Sequence, residues 1–194
     1  GALWYQGESI CWGTPGLNLY GAVQRAMIKD WRARWGEGDF PFYLVQLPGQ
    51  QNISNNPRIR EEQASVLALP KTGMAVAIDV GEAKDVHPHN KTPVAQRLVR
   101  LALADIYGKK IESRSPMFAT LKIDGANARV KFTHASAGLA AKGGGELKGF
   151  QIAGADKKFV TATARAEGDT VIVTSPDVAA PVAVRYAWDN YPEG

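Results

Sequence analysis

The sequence predicts an α/β architecture followed by an antiparallel β region, and three observations carry that expectation. Up to about residue 112, short unbroken apolar runs alternate with segments of helical periodicity, the pattern of a parallel sheet with crossover helices. Beyond "SRSP" the texture changes to short β-like runs separated by Gly, Asp and Pro turns. The length of 194 residues and the 45% hydrophobic content suit one domain with a smaller appendage. The expected division is residues 1–112, part of a larger α/β domain, and residues 113–194, antiparallel β.

Each element has its own signal. The opening "ALWY" reads as a buried strand. Over residues 17–35, apolar side chains at Tyr20, Val23, Met27, Trp31 and Trp35 recur every three to four positions, predicting one helix with this stripe toward the core and Gly36 and Gly38 as its stop. "FPFYLVQL", residues 40–47, predicts a second buried strand, residues 48–57 a polar loop, and residues 58–68 a helix. "GMAVAIDV", residues 73–80, has the unbroken apolar character of a central parallel strand, with Asp79 near its C-terminal end. Pro93 suits the first turn of a helix reaching Tyr107, with Val94, Leu98 and Leu101 on one face and Gly108 as the stop.

In the second region "ARVKF", "FVTATA", "TVIVTS" and "VAVRYAW" read as strands. The region holds the glycine run at residues 143–145 and no cluster of titratable groups, which predicts a supporting or substrate-flanking role. The first strand reads as an interior one with neighbours on both sides, and "WDNYPEG" stops without a closing element. The chain is therefore expected to be a piece of a longer polypeptide.

Charge and composition narrow the function classes. The net charge of +4 comes from 23 Lys and Arg scattered among 19 Asp and Glu without a basic stripe, so no nucleic-acid partner is expected. No apolar stretch approaches the roughly 20 residues that span a bilayer, and "GALWYQGES" lacks the features of a signal peptide, so no membrane role is expected and the compartment stays open. The single cysteine, Cys11, excludes an internal disulfide.

In open α/β sheets ligands bind beyond the carboxyl ends of the strands, which places the loops "QGES" and "GEAKDVHPHN" on one crevice. His87 is the candidate general base, because imidazole changes charge near neutrality, and Asp85 is near enough to fix its tautomer. The plainer alternative is that Asp85 caps the loop or the following helix while His87 is an ordinary polar residue. His89 reads as solvent-facing or a substrate contact. A zinc reading of Asp85, His87 and His89 lacks a further ligand cluster, and His134 stands isolated in the β region.

At the first loop, Gly7 lets backbone approach a ligand, and Gln6 and Glu8 offer a polar pair for an oxyanion or substrate. The alternative is a tight turn with Glu8 paired to a cation and Ser9 capping. Ser9 does not read as a nucleophile, since "GESIC" lacks the second glycine of a G-x-S-x-G elbow. Trp12 adjoins the loop and suits the lining of a sugar pocket, whereas Trp31 and Trp35 read as core or groove aromatics.

"LWYQGES", "KDWRARWGEGDFPFYLVQL", "GMAVAIDVGEAKDVHPHNK", "QRL", "LKGFQIAGADKKFV" and "PVAVRYAW" resemble, in order and over nearly the whole chain, the sialate O-acetylesterase family of SGNH-type hydrolases. The resemblance implies a flavodoxin-like three-layer α/β/α fold and a serine nucleophile that removes acetyl groups from sugar hydroxyls of sialic acids or plant polysaccharides. It implies no metal or organic cofactor, an acetylated carbohydrate as the partner, and a periplasmic or secreted location. Residue by residue, the family's histidine base falls on His87 and its acid on Asp85, while Gln6, Gly7, Glu8 and Ser9 fall on a block bordering the active site.

Three departures from the family pattern matter. Ile10 stands where the first block continues with Asn. The wider superfamily spaces its acid three residues before the histidine, where Lys84 stands, so Asp79 is an alternative partner and a Ser–His dyad would also serve. The "GQSNM"-type nucleophile motif, which precedes the first block in the family, is absent. The nucleophile is therefore expected upstream of this chain, leaving these residues inactive alone. The rival readings are a non-catalytic carbohydrate-binding or accessory module and a metal-dependent deacetylase.

Overall fold

The three apolar runs of the N-terminal region pair as one parallel sheet in the computed structural model, which describes residues 1–12 and 15–192. Strands β1 (Ala2–Trp4), β2 (Phe42–Gln46) and β3 (Thr72–Val76) lie in that order, with Ala2 opposite Phe42 and Phe42 opposite Thr72. Side chains alternate across β2, so its two faces need separate cover. Phe42 and Leu44 pack with Ile28 of α1 (Tyr20–Trp35) and with Val66 of the 3-10 turn Ser65–Ala68. Val45 packs with Ala77 and with Val94 of α3 (Thr92–Asp105). Helices thus cover both faces, giving three layers.

The helix α1 corrects the expected core stripe. Its buried positions are Gly21, Gln24, Ile28 and Arg32, whereas Val23 is 64% and Trp35 55% exposed, and Met27 and Trp31 are half-buried. Two contacts explain the rotation. Gly21 brings α1 against α2 (Asn56–Ala64), where an added Cβ would come 2.6 Å from the Glu62 carbonyl oxygen and collide with Ser65. Arg32 Nη2 reaches through the interface to donate to the carbonyls of Phe40 (2.8 Å) and Pro70 (2.9 Å), which satisfies that end of its buried guanidinium. The outward aromatics satisfy one another, Trp31 stacking on Trp35 and Trp35 on Phe40. Gly21→Ala is expected to lower stability by about 1–3 kcal/mol through overpacking, read as a drop in the midpoint of chemical unfolding.

Other boundaries differ in ways the packing explains. The expected helix over 17–35 opens with a separate 3-10 turn, Leu17–Leu19, and α1 ends where Gly36, at φ 69°, closes the helix on the Arg32 carbonyl, as predicted. The helix α2 starts at Asn56 with Pro57 in its first turn, inside the stretch expected as loop. The strand β3 stops at Val76, so Asp79 lies in the turn beyond it rather than in the strand. The helix α3 has Pro93 in its first turn and Val94 and Leu101 buried as expected, with Leu98 half-buried, and ends at Asp105, two residues before the expected Tyr107. Among the described residues no helix is long and apolar enough to cross a membrane.

The chain forms two compact units, one of Gly1–Arg114 with Asp189–Tyr191 and one of Ser115–Trp188 with Pro192. The second unit is antiparallel. One sheet runs β4 (Met117–Asp124), β5 (Asn127–Thr133), β9 (Thr170–Thr174) and β8 (Thr163–Glu167); the other runs β10 (Ala183–Tyr186), β6 (Phe150–Ala153) and β7 (Val160–Thr161). Ala128, Val130, Val171 and Val173 from the first sheet share a core with Phe150 and Ile152 from the second. "FVTATA" is therefore not one strand: the chain changes sheets at Ala162, whose N–H bonds the Phe150 carbonyl.

Candidate active site

The turn after β1 is shaped by what surrounds Gly7. This residue is buried at φ 143°, and a Cβ there would sit 3.2 Å from the Tyr20 hydroxyl and 3.4 Å from Gln63 Nε2. The Gln6 carbonyl accepts from the Tyr20 hydroxyl (2.9 Å) and from Gln63 Nε2 (3.2 Å). The Gly7 carbonyl accepts from the Ile10 N–H (3.3 Å) and the Cys11 thiol (3.7 Å), which starts the 3-10 turn Glu8–Trp12. Fully buried Gln63 also accepts from the Leu47 N–H (2.9 Å), so one amide ties the ends of β1 and β2 together.

Burial and then the Glu8 carboxylate push both the Tyr5 hydroxyl and the Cys11 thiol up to about 12, which keeps both protonated and makes Cys11 a poor nucleophile. Ile10 joins an apolar cluster with Cys11, Leu47, Ile53 and Ile59. Ser9 and Trp12 are exposed.

The loop after β3 holds both histidines through carboxylates. Asp85 Oδ1 accepts the His87 backbone N–H at 2.8 Å and lies 3.4 Å from His87 Nδ1. Asp85 thus makes the loop-capping contact and faces the imidazole with the same oxygen. The His87 N–H, foremost, and the nearby imidazoles hold the Asp85 carboxyl below its ordinary range. His89 donates its N–H to Glu82 Oε1 (2.8 Å), with Nδ1 3.1 Å from the same oxygen and Nε2 3.6 Å from Asp85 Oδ2. Both imidazoles are largely exposed, at 82% for His87 and 78% for His89.

Asp79, the alternative partner, is gripped by Arg97 through two bonds of 2.7 Å, and Arg97 also donates to the Val76 carbonyl. Its carboxylate anchors α3 to the end of β3. Val86, between Asp85 and His87, packs into the cluster that contains Tyr5, Ile10 and Cys11. Both polar groups therefore stand at the carboxyl end of the sheet and share apolar packing. Lys91 lies 5.0 Å over the Tyr5 ring beside them. His134, in the second unit, follows β5 at φ 56°. Among the described residues, no three His, Cys, Asp or Glu side chains form a group suited to a metal ion.

Sequence reasoning missed Glu82, Arg97 and Gln63. Only Gln63 had a usable signal: over "RIREEQA" a single isoleucine cannot supply a core face, so the buried face of α2 had to include polar groups, and beside Ile59 it does, as Asn56, Arg60 and Gln63.

Residues 1–108 match the model of the carbohydrate esterase, sialic acid-specific acetylesterase family. The chain is 36% identical over 132 residues to the Homo sapiens sialate O-acetylesterase, covering 57% of this chain and 25% of that protein. It is 31% identical over 156 residues to the Mus musculus sialate O-acetylesterase, covering 69% and 28%. A crystal structure of a carbohydrate acetylesterase from Xanthomonas citri superposes with a TM-score of 0.92 at 42% identity, over 99% of this chain and 46% of that one. The chain thus spans about a quarter of the mammalian proteins and under half of the bacterial one. Its fold is the expected SGNH-type α/β/α arrangement joined to antiparallel sheets. The chain belongs to the sialic acid-specific acetylesterase family of carbohydrate esterases.

Proposed function

We propose that these residues are the histidine-bearing part of a carbohydrate O-acetylesterase whose serine nucleophile comes from polypeptide outside them. The observation that carries the reading is the Asp85–His87 pair in the loop after β3, in a chain of this family. In the intact enzyme the serine Oγ attacks the acetyl carbonyl as His87 Nε2 takes its proton, and Asp85 steadies the imidazolium at Nδ1. The Gly7 N–H donates to the oxyanion, with Gln6 and Glu8 bordering the sugar. Collapse expels the sugar oxygen, protonated by His87, and leaves an acetyl-serine. Water, deprotonated by His87, attacks this ester; the serine leaves with the proton, and acetate is released. Residues 113–194 support this domain or flank the substrate.

The entry point for the missing polypeptide is the outer edge of β1. The Ala2 N–H bonds the Pro41 carbonyl, so alternation turns the N–H and C=O of Leu3 away from β2. The Leu3 side chain is 68% exposed on one face of this edge, and the outward stripe of α1 lies on the other. An unpaired edge flanked by apolar surface suits one more parallel strand with its covering helices. A strand added there would end beside Gln6 and Glu8, where the serine is needed.

The test is complementation. The 194-residue chain alone is expected to release no acetate from an acetylated sugar, and the intact protein to release it. Equal hydrolysis by the chain alone would refute the external nucleophile. No hydrolysis by either would return the protein to the binding-module reading.

A further inference from the structure

The chain leaves the antiparallel unit after Trp188 and re-enters the first unit for three residues, Asp189–Tyr191. The second region carries no catalytic candidate, so the return needs its own explanation. We infer that this segment is a positioning strap for the loop that carries Asp85 and His87. The inference rests on the reading of His87 as the base only for its kinetic consequence.

The strap is held by polar groups that are almost fully buried. Its two successive carbonyls act as acceptors: that of Asp189 takes Arg60 Nη2 at 2.6 Å, and that of Asn190 takes the Gln50 N–H at 2.8 Å and Asn56 Nδ2 at 2.9 Å. Asn190 Oδ1 faces the Asn56 N–H at 3.3 Å, and Asp189 Oδ1 accepts the Tyr191 N–H at 2.9 Å, which bends the strap into place. Arg60, Gln50 and Asn56 are 5%, 2% and 0% exposed, so water cannot readily replace these acceptors.

The same groups lead to the site. Asn56 Nδ2 also donates to the Pro48 carbonyl at 2.9 Å, clamping residues 48–51 between α2 and the strap. On their other side lie residues 81–83. Gln51 donates its N–H to the Ala83 carbonyl at 3.0 Å, and the Tyr191 hydroxyl reaches the Gly81 carbonyl at 3.5 Å. Gly81 touches this loop so closely that a Cβ would run into the Gly49 carbonyl oxygen and come 2.8 Å from its amide nitrogen. Glu82 and Asp85, the carboxylates that hold His89 and His87, follow immediately. Strap, 48–51 loop and 81–83 turn are therefore stacked, and His87 extends from the outermost layer.

Two variants of the 194-residue chain test this by amide exchange: a chain ended after Trp188, and Asn56→Asp, which keeps the side-chain shape but turns an oxygen toward two carbonyls. Exchange at Gln50, Gln51, His87 and His89 is expected to quicken about tenfold, with Leu44 and Val45 of β2 unchanged. Faster exchange at Gln50 and Gln51 alone would limit the strap to that loop and overturn the proposal. Opening of β2 in both variants would make the strap part of the core and overturn it equally. If only the shortened chain opens β2, Asn56→Asp decides on the same amides. In the intact enzyme Asn56→Asp should lower kcat about tenfold while KM stays within about twofold. A raised KM at unchanged kcat would contradict positioning. An intact wild-type protein without esterase activity would instead sink the functional reading and leave the exchange result standing.

Discussion

His87→Ala in the intact enzyme is expected to lower kcat for acetate release about 1,000-fold or more, with KM changed only a few-fold. Of the two exposed imidazoles in the loop after β3, His87 is the one proposed as the base, 82% exposed with Nδ1 3.4 Å from Asp85. Removing it leaves no acceptor for the serine proton in acylation or for the water proton in deacylation, so the two steps slow together. Ground-state sugar binding draws on other groups, which is why the loss belongs in kcat. Steady-state kinetics on an acetylated sugar read the split, and an unchanged kcat would remove His87 from the mechanism. Circular dichroism should show no unfolding, because the exposed ring contributes little to packing.

Asp85→Asn should cost about 100-fold in kcat. One Asp85 oxygen faces both the His87 backbone N–H and Nδ1, so the amide oxygen can keep both contacts, but the neutral side chain no longer supplies the charge that stabilises the protonated imidazole. The expected loss is smaller than for a buried carboxylate, since Asp85 is 44% exposed and water substitutes in part. Asp79→Asn should act differently, loosening α3 through Arg97 without selectively lowering kcat. A result in which Asp79→Asn reproduces the Asp85 effect would reassign the orienting carboxylate.

The pH dependence of the loop follows from the same contact. The folded pKa of Asp85 is depressed, chiefly by the His87 N–H. The contact therefore contributes stability above the unfolded carboxyl value, about 3.9, and loses it as pH falls through the lower folded value. Exchange protection at the His87 amide should persist below the ordinary carboxylate range and fade only as pH falls through the lower folded value.

Much of this fold was legible because apolar burial follows secondary-structure period. The runs that became β2 and β3 are buried, and the stripe of α3 is an ordinary amphipathic one. The helix α1 misled because its packing face is made of Gly21, Gln24, Ile28 and Arg32, where close approach and carbonyl capture replace apolar area. Periodicity counts hydrophobic side chains and cannot register a glycine contact. "FVTATA" reads as one strand because the change of sheet at Ala162 leaves the local alternation intact.

The candidate site was legible in part for a similar reason. Asp85 and His87 are two positions apart, so a local turn suffices to join them. Glu82 meets His89 seven positions away only because the loop doubles back. The strap bonds from Asn190 to Asn56 cross 134 positions, and nothing in "WDNYPEG" marks its carbonyls as acceptors.

The central claim is that His87 and the Gly7 turn serve one external serine. Its most direct measurement is a crystal structure of the intact protein after reaction with a serine-directed phosphonate, which leaves a tetrahedral mimic of the acylation intermediate on the nucleophile. The account predicts an adduct on a serine outside these 194 residues, with His87 Nε2 about 2.6–3.2 Å from the serine or leaving-group oxygen and the phosphoryl oxygen bonded by the Gly7 N–H. An adduct whose serine lies beyond reach of His87, or whose phosphoryl oxygen is held by other donors, would contradict it.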